Sequence, residues 1–529
     1  MRPQLRLMPG PSFPALRGAD ASRPSIPARP LRVIALLACA LTLFGTGSEA
    51  ASDRQALVIG MSDYATIGKL DNTTNDARAL ATTLSQMGFD VTLSLDAPGD
   101  ELRQELDDFA FRSETADLAL IYFAGHGVEV AGENFMIPVD AQVASNLDVQ
   151  RQSVSLKQML AAVENARQMR IVILDSCRDN PLGGAIDLAA TADSETTTDT
   201  ARAPGGQGGL APADPDRGTL VAFAARDGQV ALDGAGVHSP YATALMEKMV
   251  EPGLEISLMF RQVRDRVLEM TGNLQEPHTY GSLTGVPFYL AGPGEGQIQG
   301  TQGSAMDAWA GIRPDQEEQL LALAEQGDTR SMLGLAYMRL NPNEERFDPD
   351  QAVDFLERAA AAGSPEAQFE LAKLYERGLS VVVDNARALE LYTAAADAGY
   401  ADAINDLGFL HFQGGLGLPA NPPRAITYFA RAADLRHPQA QFNYAALIDD
   451  GLVEGRGPED SARYLYAALR SGSPDVLKIL QERPTMFSGE TRRALQEQLT
   501  EFGFYEGAID GDIGPGTQRG IRLAYGLEE

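Results

Sequence analysis

Leu118-Ala119-Leu120-Ile121-Tyr122-Phe123 runs directly into Ala124-Gly125-His126-Gly127, and Arg170-Ile171-Val172-Ile173-Leu174 runs into Asp175-Ser176-Cys177-Arg178. Each lead is apolar without alternation, the pattern of a strand buried on both faces. The runs at 55–60, 89–93 and 219–224 read as further strands. Between them, 74–87, 100–112 and 155–166 carry apolar residues at helical spacing, as in Leu102, Leu106 and Phe109. Apolar strands separated by amphipathic helices predict an α/β fold: a doubly wound, mostly parallel sheet with helices on both faces.

In such a sheet the chemistry gathers at the carboxyl ends of the strands. If the two quoted strands are parallel neighbours, His126 and Cys177 share one crevice and come within hydrogen-bonding reach. An imidazole can take the proton of a thiol, and the thiolate is the nucleophile. The glycines around His126 let the backbone approach a substrate and leave N–H groups for an oxyanion. A buried cysteine or histidine alone is more often structural. The two together, each at a strand end beside polar or glycine residues, point to a catalytic dyad.

Composition narrows the alternatives. At 529 residues the chain is too long for one core, and about three domains are expected. With 44% hydrophobic residues it falls in the globular range. A formal charge of −30 excludes a broad nucleic-acid surface, which needs clustered Lys and Arg. Two cysteines, Cys39 and Cys177, exclude a disulfide framework and multi-cysteine zinc sites, and none of the five histidines has HExxH spacing. No metal and no other cofactor is expected.

Residues 1–50 read as a signal peptide: an Arg- and Pro-rich lead, an apolar run at 33–44, and Ser48-Glu49-Ala50 before the expected cut. The apolar run is too short for a membrane-spanning helix, and no other run is long and apolar enough to span. Lipidation at Cys39, on Leu36-Leu37-Ala38-Cys39, ranks second to cleavage. The expected product is exported, with a periplasmic location, and carries one thiol.

Tyr122-Phe-Ala-Gly-His-Gly127 and Leu174-Asp-Ser-Cys-Arg178 resemble the two signature segments of the caspase fold, closest to its bacterial metacaspase-like or orthocaspase branch. Asn75-Asp76-Ala77, Phe223-Ala-Ala-Arg-Asp-Gly-Gln229, His238-Ser-Pro240 and Gln275-Glu-Pro277 extend the resemblance over 53–292. It implies a cysteine endopeptidase acting on peptide or protein substrates. His126 would be general base and acid, Cys177 the nucleophile, and the N–H groups of Gly127 and Cys177 the oxyanion hole. Asp76 and Asp175 match metacaspase positions that hold an Arg or Lys side chain, so cleavage after basic residues is expected. Ala124 and Thr73 depart from the serine and cysteine common at those positions.

The remaining chain divides by composition. Residues 182–217 are a Gly/Pro-rich insert where caspase-like chains separate their halves; Arg202 and Arg217 are its only basic residues and candidate self-cleavage points. Residues 293–312 read as a linker. Markers at 327, 363, 399, 436 and 472 recur every 36 or 37 residues, a helix-turn-helix solenoid period. The array at 315–482 resembles Sel-like tetratricopeptide-type repeats, which implies a protein partner. Tyr337, Tyr375 and Tyr444 read as core packing. Residues 484–529, with Tyr505-Glu-Gly-Ala-Ile-Asp-Gly-Asp-Ile-Gly-Pro-Gly-Thr517, resemble a small helical peptidoglycan-binding module, which implies a wall ligand. Two function classes follow: an exported cysteine peptidase, or a non-enzymatic caspase-fold adaptor in an envelope complex. The chemistry is expected to be complete within 53–292, with repeats and tail dispensable for it.

Overall fold

The computed structural model describes residues 53–177, 218–226, 229, 231–281, 283–294 and 305–527. The expected signal peptide, Cys39 and the 182–217 insert lie outside the described residues.

The elements of the first unit are β1 (Arg54–Gly60), α1 (Thr73–Gln86), β2 (Asp90–Leu95), α2 (Gly99–Ser113), β3 (Leu118–Val130), β4 (Glu133–Met136), α3 (Asn146–Gln152), β5 (Val154–Ser155), α4 (Leu156–Val163), β6 (Met169–Cys177), β7 (Thr219–Phe223), α5 (Pro240–Met249), α6 (Ile256–Thr271) and β8 (His278–Gly281). The sheet order is β2-β1-β3-β6-β7-β8. All neighbours are parallel except β7 and β8. Alternate strand residues feed two cores, as the pleat requires. Leu120, Tyr122 and Ala124 pack with α1, α5 and α6, while Ile121 and Phe123 pack with α2 and α4. This is the expected mostly parallel sheet with helices on both faces.

Strand β3 continues past Phe123, where the strand was expected to end, and carries His126 within it. Beyond His126 it folds back through Ala131 and Gly132, both at positive φ (53° and 82°), into the antiparallel strand β4. Two positive φ values in a two-residue turn match the right-handed twist of a hairpin.

The second unit is helical. Its elements are α7 (Ala305–Ala310), α8 (Pro314–Glu325), α9 (Thr329–Leu340), α10 (Pro349–Ala361), α11 (Pro365–Arg377), α12 (Asn385–Asp397), α13 (Ala401–Gln413), α14 (Pro422–Asp434), α15 (Pro438–Asp449), α16 (Pro458–Arg470) and α17 (Pro474–Glu482). Side chains of Asp328, Ser364, His437 and Ser473 cap α9, α11, α15 and α17, and proline opens α11, α15 and α17. The period markers are left-handed turn residues: Gly327, Gly363, Gly399 and Gly472, with Arg436 at φ 61° in the same place. Tyr337 and Tyr444 are buried in the array, and Tyr375 packs against it partly exposed. Helices α18 (Gly489–Glu501) and α19 (Pro515–Tyr525) form the tail.

Part of the expected linker is packed structure. Helix α7 places Trp309, fully buried, in one core with Tyr289 of the first unit and with the repeats. A Cβ at Gly334 would lie 2.7 Å from the Trp309 ring, so α9 and α7 meet at that glycine. The array also closes back on the sheet unit at its far end. Arg470 pairs with Glu114 at 2.8 Å and lies against both the Phe111 and Phe504 rings.

Candidate active site

Strands β3 and β6 pair in parallel through nine rungs, and the last sets His126 opposite Cys177. The sequence sets these residues 51 positions apart, and the register makes them neighbours at one strand-end crevice.

Three contacts fix His126. Its backbone N–H donates to the Tyr64 hydroxyl at 2.7 Å, and the two rings lie 4.6 Å apart. Its Nε2 lies 2.7 Å from the Gly68 carbonyl. A carbonyl only accepts, so Nε2 carries the proton and Nδ1 presents a bare lone pair. That Nδ1 is buried without a hydrogen-bond partner among the described residues. Burial holds the imidazole pKa below its ordinary value, with the Gly68 carbonyl and Asp233 opposing it. The ring is therefore a neutral, oriented base at neutral pH.

The backbone at the rung is equally defined. Met61 N–H donates to Ala124 C=O, and Ile137 N–H donates to His126 C=O. In a strand, successive residues direct N–H and C=O to opposite edges, so the N–H of Gly127 faces β6. The expected ladder acceptor for that N–H is the Cys177 carbonyl, and the Cys177 N–H in turn faces Gly125. An oxyanion would have to take the place of this terminal rung.

Beside this rung is a pocket lined by Leu70, Thr73, Asp76, Gly125, Asp233 and Ser239, among others, with Asp175 at its wall. Asp76 and Asp175, predicted for this place, are both buried in it. Asp175 accepts from the Tyr122 hydroxyl at 3.0 Å and the Ser239 hydroxyl at 2.8 Å. Burial, with Asp76 adding to it, pushes its carboxyl up to about 7. Asp76 lies 2.7 Å from His238 Nδ1 and accepts from the Ser239 N–H. Its pKa is also raised, by burial first. Ser239 thus bridges the two acids while capping α5. Thr73, at the expected cysteine position, donates to Met61 C=O.

Sequence reasoning missed two contributors. Asp233 is a third carboxylate on the pocket, raised by burial first, and its carboxylate accepts from the Asp71 N–H. His238, quoted only as part of a motif, is the partner of Asp76. Neither has a chain-local signature: Asp233 sits in an Asp-Gly turn of ordinary composition. Among the described residues no group of three or more His, Cys, Asp or Glu could hold a metal ion.

With this geometry in hand, comparison with known proteins gives a clear result. The caspase-domain family model matches residues 53–288. Those residues are a caspase domain. Sel1 repeats match at 329–364, 365–400 and 401–437, and a putative peptidoglycan binding domain at 488–523. The three follow one another in the order the sequence predicted. Among curated relatives, mucosa-associated lymphoid tissue lymphoma translocation protein 1 of Homo sapiens is 32% identical over 25% of this chain and 16% of its own. Chitin synthase regulatory factor 3 of Schizosaccharomyces pombe is 31% identical over 32% of this chain and 19% of its own. The chain spans less than a fifth of these relatives' lengths. Among solved structures, that of pro-sf-caspase-1 is 16% identical, with a TM-score of 0.32 over 46% of this chain and 92% of that one.

In the tail, the motif that resembles a peptidoglycan-binding module is engaged in the fold. Buried Gln496 donates to Asp510, to the Asp512 carbonyl and to Thr517, and accepts from the Gly511 N–H. Gly511 has φ 82°, and a Cβ there would lie 2.8 Å from the Gly489 carbonyl.

Proposed function

We propose that this protein is an exported caspase-like cysteine endopeptidase that cleaves after Arg or Lys, with repeats that dock a partner and a tail that contacts peptidoglycan. The observation that carries the reading is the rung pairing His126 with Cys177, together with the buried, unpartnered Nδ1. In the reaction, His126 Nδ1 takes the Cys177 thiol proton. The sulfur attacks the peptide carbonyl, and the Gly127 N–H receives the oxyanion as the terminal rung opens. The imidazolium returns its proton to the leaving amine, leaving a thioester. Water, deprotonated by the same imidazole, releases the acid and restores the thiol.

The three acids Asp76, Asp175 and Asp233 support basic specificity, because a cation entering between crowded carboxylates relieves their mutual repulsion and desolvation. The test is hydrolysis of Arg-, Lys- and Asp-containing peptides by the full chain, and labelling by an arginyl chloromethyl ketone. Cys177→Ala and His126→Ala are expected to abolish turnover and, for Cys177→Ala, labelling, with melting curves retained. Wild-type turnover by either variant would sink the dyad, and no turnover by the wild type on any peptide would favour the adaptor. Faster cleavage after Asp than after Arg would overturn the pocket assignment.

A further inference from the structure

Two of the groups that hold His126 sit on one irregular segment, residues 61–72 between β1 and α1. Tyr64 supplies the hydroxyl for the His126 N–H, and Gly68 supplies the carbonyl for Nε2. Ser62 is the hub of this segment. Its carbonyl accepts from the Tyr64 N–H at 3.0 Å and from the Leu70 N–H at 3.3 Å, and its hydroxyl donates to the Leu70 carbonyl. The placing of Ser62 therefore fixes where Tyr64 begins and, through Leu70, where the backbone beside Gly68 runs.

Asp96, just past the end of β2, sets the hub. Its Oδ1 accepts from the Ser62 N–H at 2.6 Å and from the Asp63 N–H at 3.0 Å. Its own N–H donates to the Gly60 carbonyl at 2.9 Å, which ties the end of β2 to the end of β1. In doing so Asp96 holds φ 51°, a left-handed conformation that among side-chain-bearing residues Asn and Asp tolerate best. Strain of this kind persists where the surroundings over-determine it, and it gathers at functional sites. The other fastenings act to either side of the hub. Met61 is held by the Ala124 carbonyl and the Thr73 hydroxyl. The Ala65 N–H and the Thr66 hydroxyl donate to the Val139 and Ala141 carbonyls, and the Asp71 N–H donates to Asp233. Lys69 pairs with Asp63, with both partners largely exposed, and such a pair contributes little. The N–H groups of Ser62 and Asp63 themselves are held by Asp96.

We propose that Asp96 is a positioning residue for the reaction given above, acting through Ser62 to hold the Tyr64 hydroxyl and the Gly68 carbonyl on His126. The proposal rests on the reading of His126 and Cys177 as a dyad. Without the Asp96 carboxylate the hub loosens, both holds on the imidazole slacken together, and Nδ1 is no longer kept in place for the thiol proton.

The rate of Cys177 alkylation by iodoacetamide at neutral pH tests this on the full chain, with the Cys177 peptide quantified by mass spectrometry so that Cys39 does not enter. This reaction needs the thiol proton removed but needs no substrate pocket. His126→Ala is the reference and should slow alkylation about tenfold or more. An unchanged rate there would overturn the dyad, and this proposal with it. Asp96→Gly keeps the left-handed backbone without strain and removes the acceptor, so alkylation should slow about tenfold. Asp96→Asn keeps an oxygen in the same place and should stay within about threefold of wild type. Asp96→Glu keeps the charge but displaces the acceptor by one methylene; it should lose as Asp96→Gly does, and it keeps the test decisive if Asp96→Gly melts too low to assay. With an Arg peptide, kcat should follow the same pattern and carry most of the loss, while KM changes less. If no peptide is hydrolysed, the peptidase reading fails and the alkylation rates still decide the role of Asp96. The proposal alone is overturned if His126→Ala slows alkylation while Asp96→Gly and Asp96→Glu stay within about twofold of wild type. It is overturned too if Asp96→Asn loses as much as Asp96→Gly, or if the loss on the peptide is confined to KM.

Discussion

Asp175 shows how one residue can pull stability and recognition in opposite directions. Its folded pKa of about 7 is above that of an unfolded aspartate near 4. Between those values the folded chain holds a proton that the unfolded chain has released, so the Asp175 contribution to stability falls as pH rises through that window. Asp175→Asn keeps an oxygen for Tyr122 and Ser239 and removes the buried charge. It is expected to flatten the stability slope between pH 5 and pH 8 and to raise stability at pH 8 by roughly 1–3 kcal/mol. Urea denaturation at the two pH values reads this, and an unchanged slope would place the titrating proton elsewhere. On the proposed activity, the ionised carboxylate is the binding form. kcat/KM for Arg peptides should then rise through pH 7, and Asp175→Asn should lose that rise. His126, with its pKa lowered by burial, is already neutral there, so it does not mask the step. His126 and Cys177 were readable in the sequence because each ends an apolar run. Asp233 and His238 were not, because only folding brings the segment after β7 against the start of α1.

Element boundaries went astray where glycine carried two meanings. Gly125 and Gly127 were read as lying past the end of the strand, with N–H groups left for an oxyanion, yet β3 runs through both. The requirement at Gly125 is steric: a Cβ there would lie 2.6 Å from the Tyr64 hydroxyl oxygen and 2.8 Å from the Phe123 ring. Gly125→Ala should displace the Tyr64 hydroxyl from the His126 N–H and loosen the imidazole. On the proposed activity, kcat should fall tenfold or more, the scale of a misplaced catalytic group, while the fold survives as judged by circular dichroism. Activity within twofold of wild type would remove Tyr64 as a positioning residue. The hairpin offers the converse case. Exposed Ala131 holds φ 53° where glycine would be unstrained. Ala131→Gly should stabilise the chain by about 0.5–1 kcal/mol, read as a shift in the denaturation midpoint at constant slope. A loss of stability would mean that unfolded-chain entropy outweighs the relieved strain at this turn.

At the scale of the whole molecule, the sequence showed three units but not their mutual dependence. Repeat period and composition are local properties, whereas the seam between units depends on single residues far apart in the chain. The expectation that the chemistry is complete within 53–292 says nothing of the seam, where the unit shares buried contacts with the repeats. Glu255 is fully buried at the start of α6, and its charge is paired with Arg330 of the repeats at 2.7 Å. Tyr289 packs in the repeat core, and Gly285 is bonded to Glu366 and Trp309. A chain ending at residue 294 would leave Glu255 without Arg330 and expose Tyr289. Removing one partner of a buried pair costs about 3–5 kcal/mol, a large share of the roughly 5–15 kcal/mol that holds a typical domain folded. The truncated chain is therefore expected to be aggregation-prone or to melt well below the full chain, and any activity it loses follows from instability. Arg330→Ala in the full chain isolates the pair from the rest of the truncation and should cost about 3–5 kcal/mol. Trp309, the single tryptophan and fully buried at the seam, gives the readout: its emission should shift to the red in the same transition that reports loss of the sheet. If Trp309 is exposed at lower denaturant than the sheet, the units unfold independently. If Arg330→Ala leaves the midpoint unchanged, the seam is a contact without energetic consequence, and the independent-module reading returns.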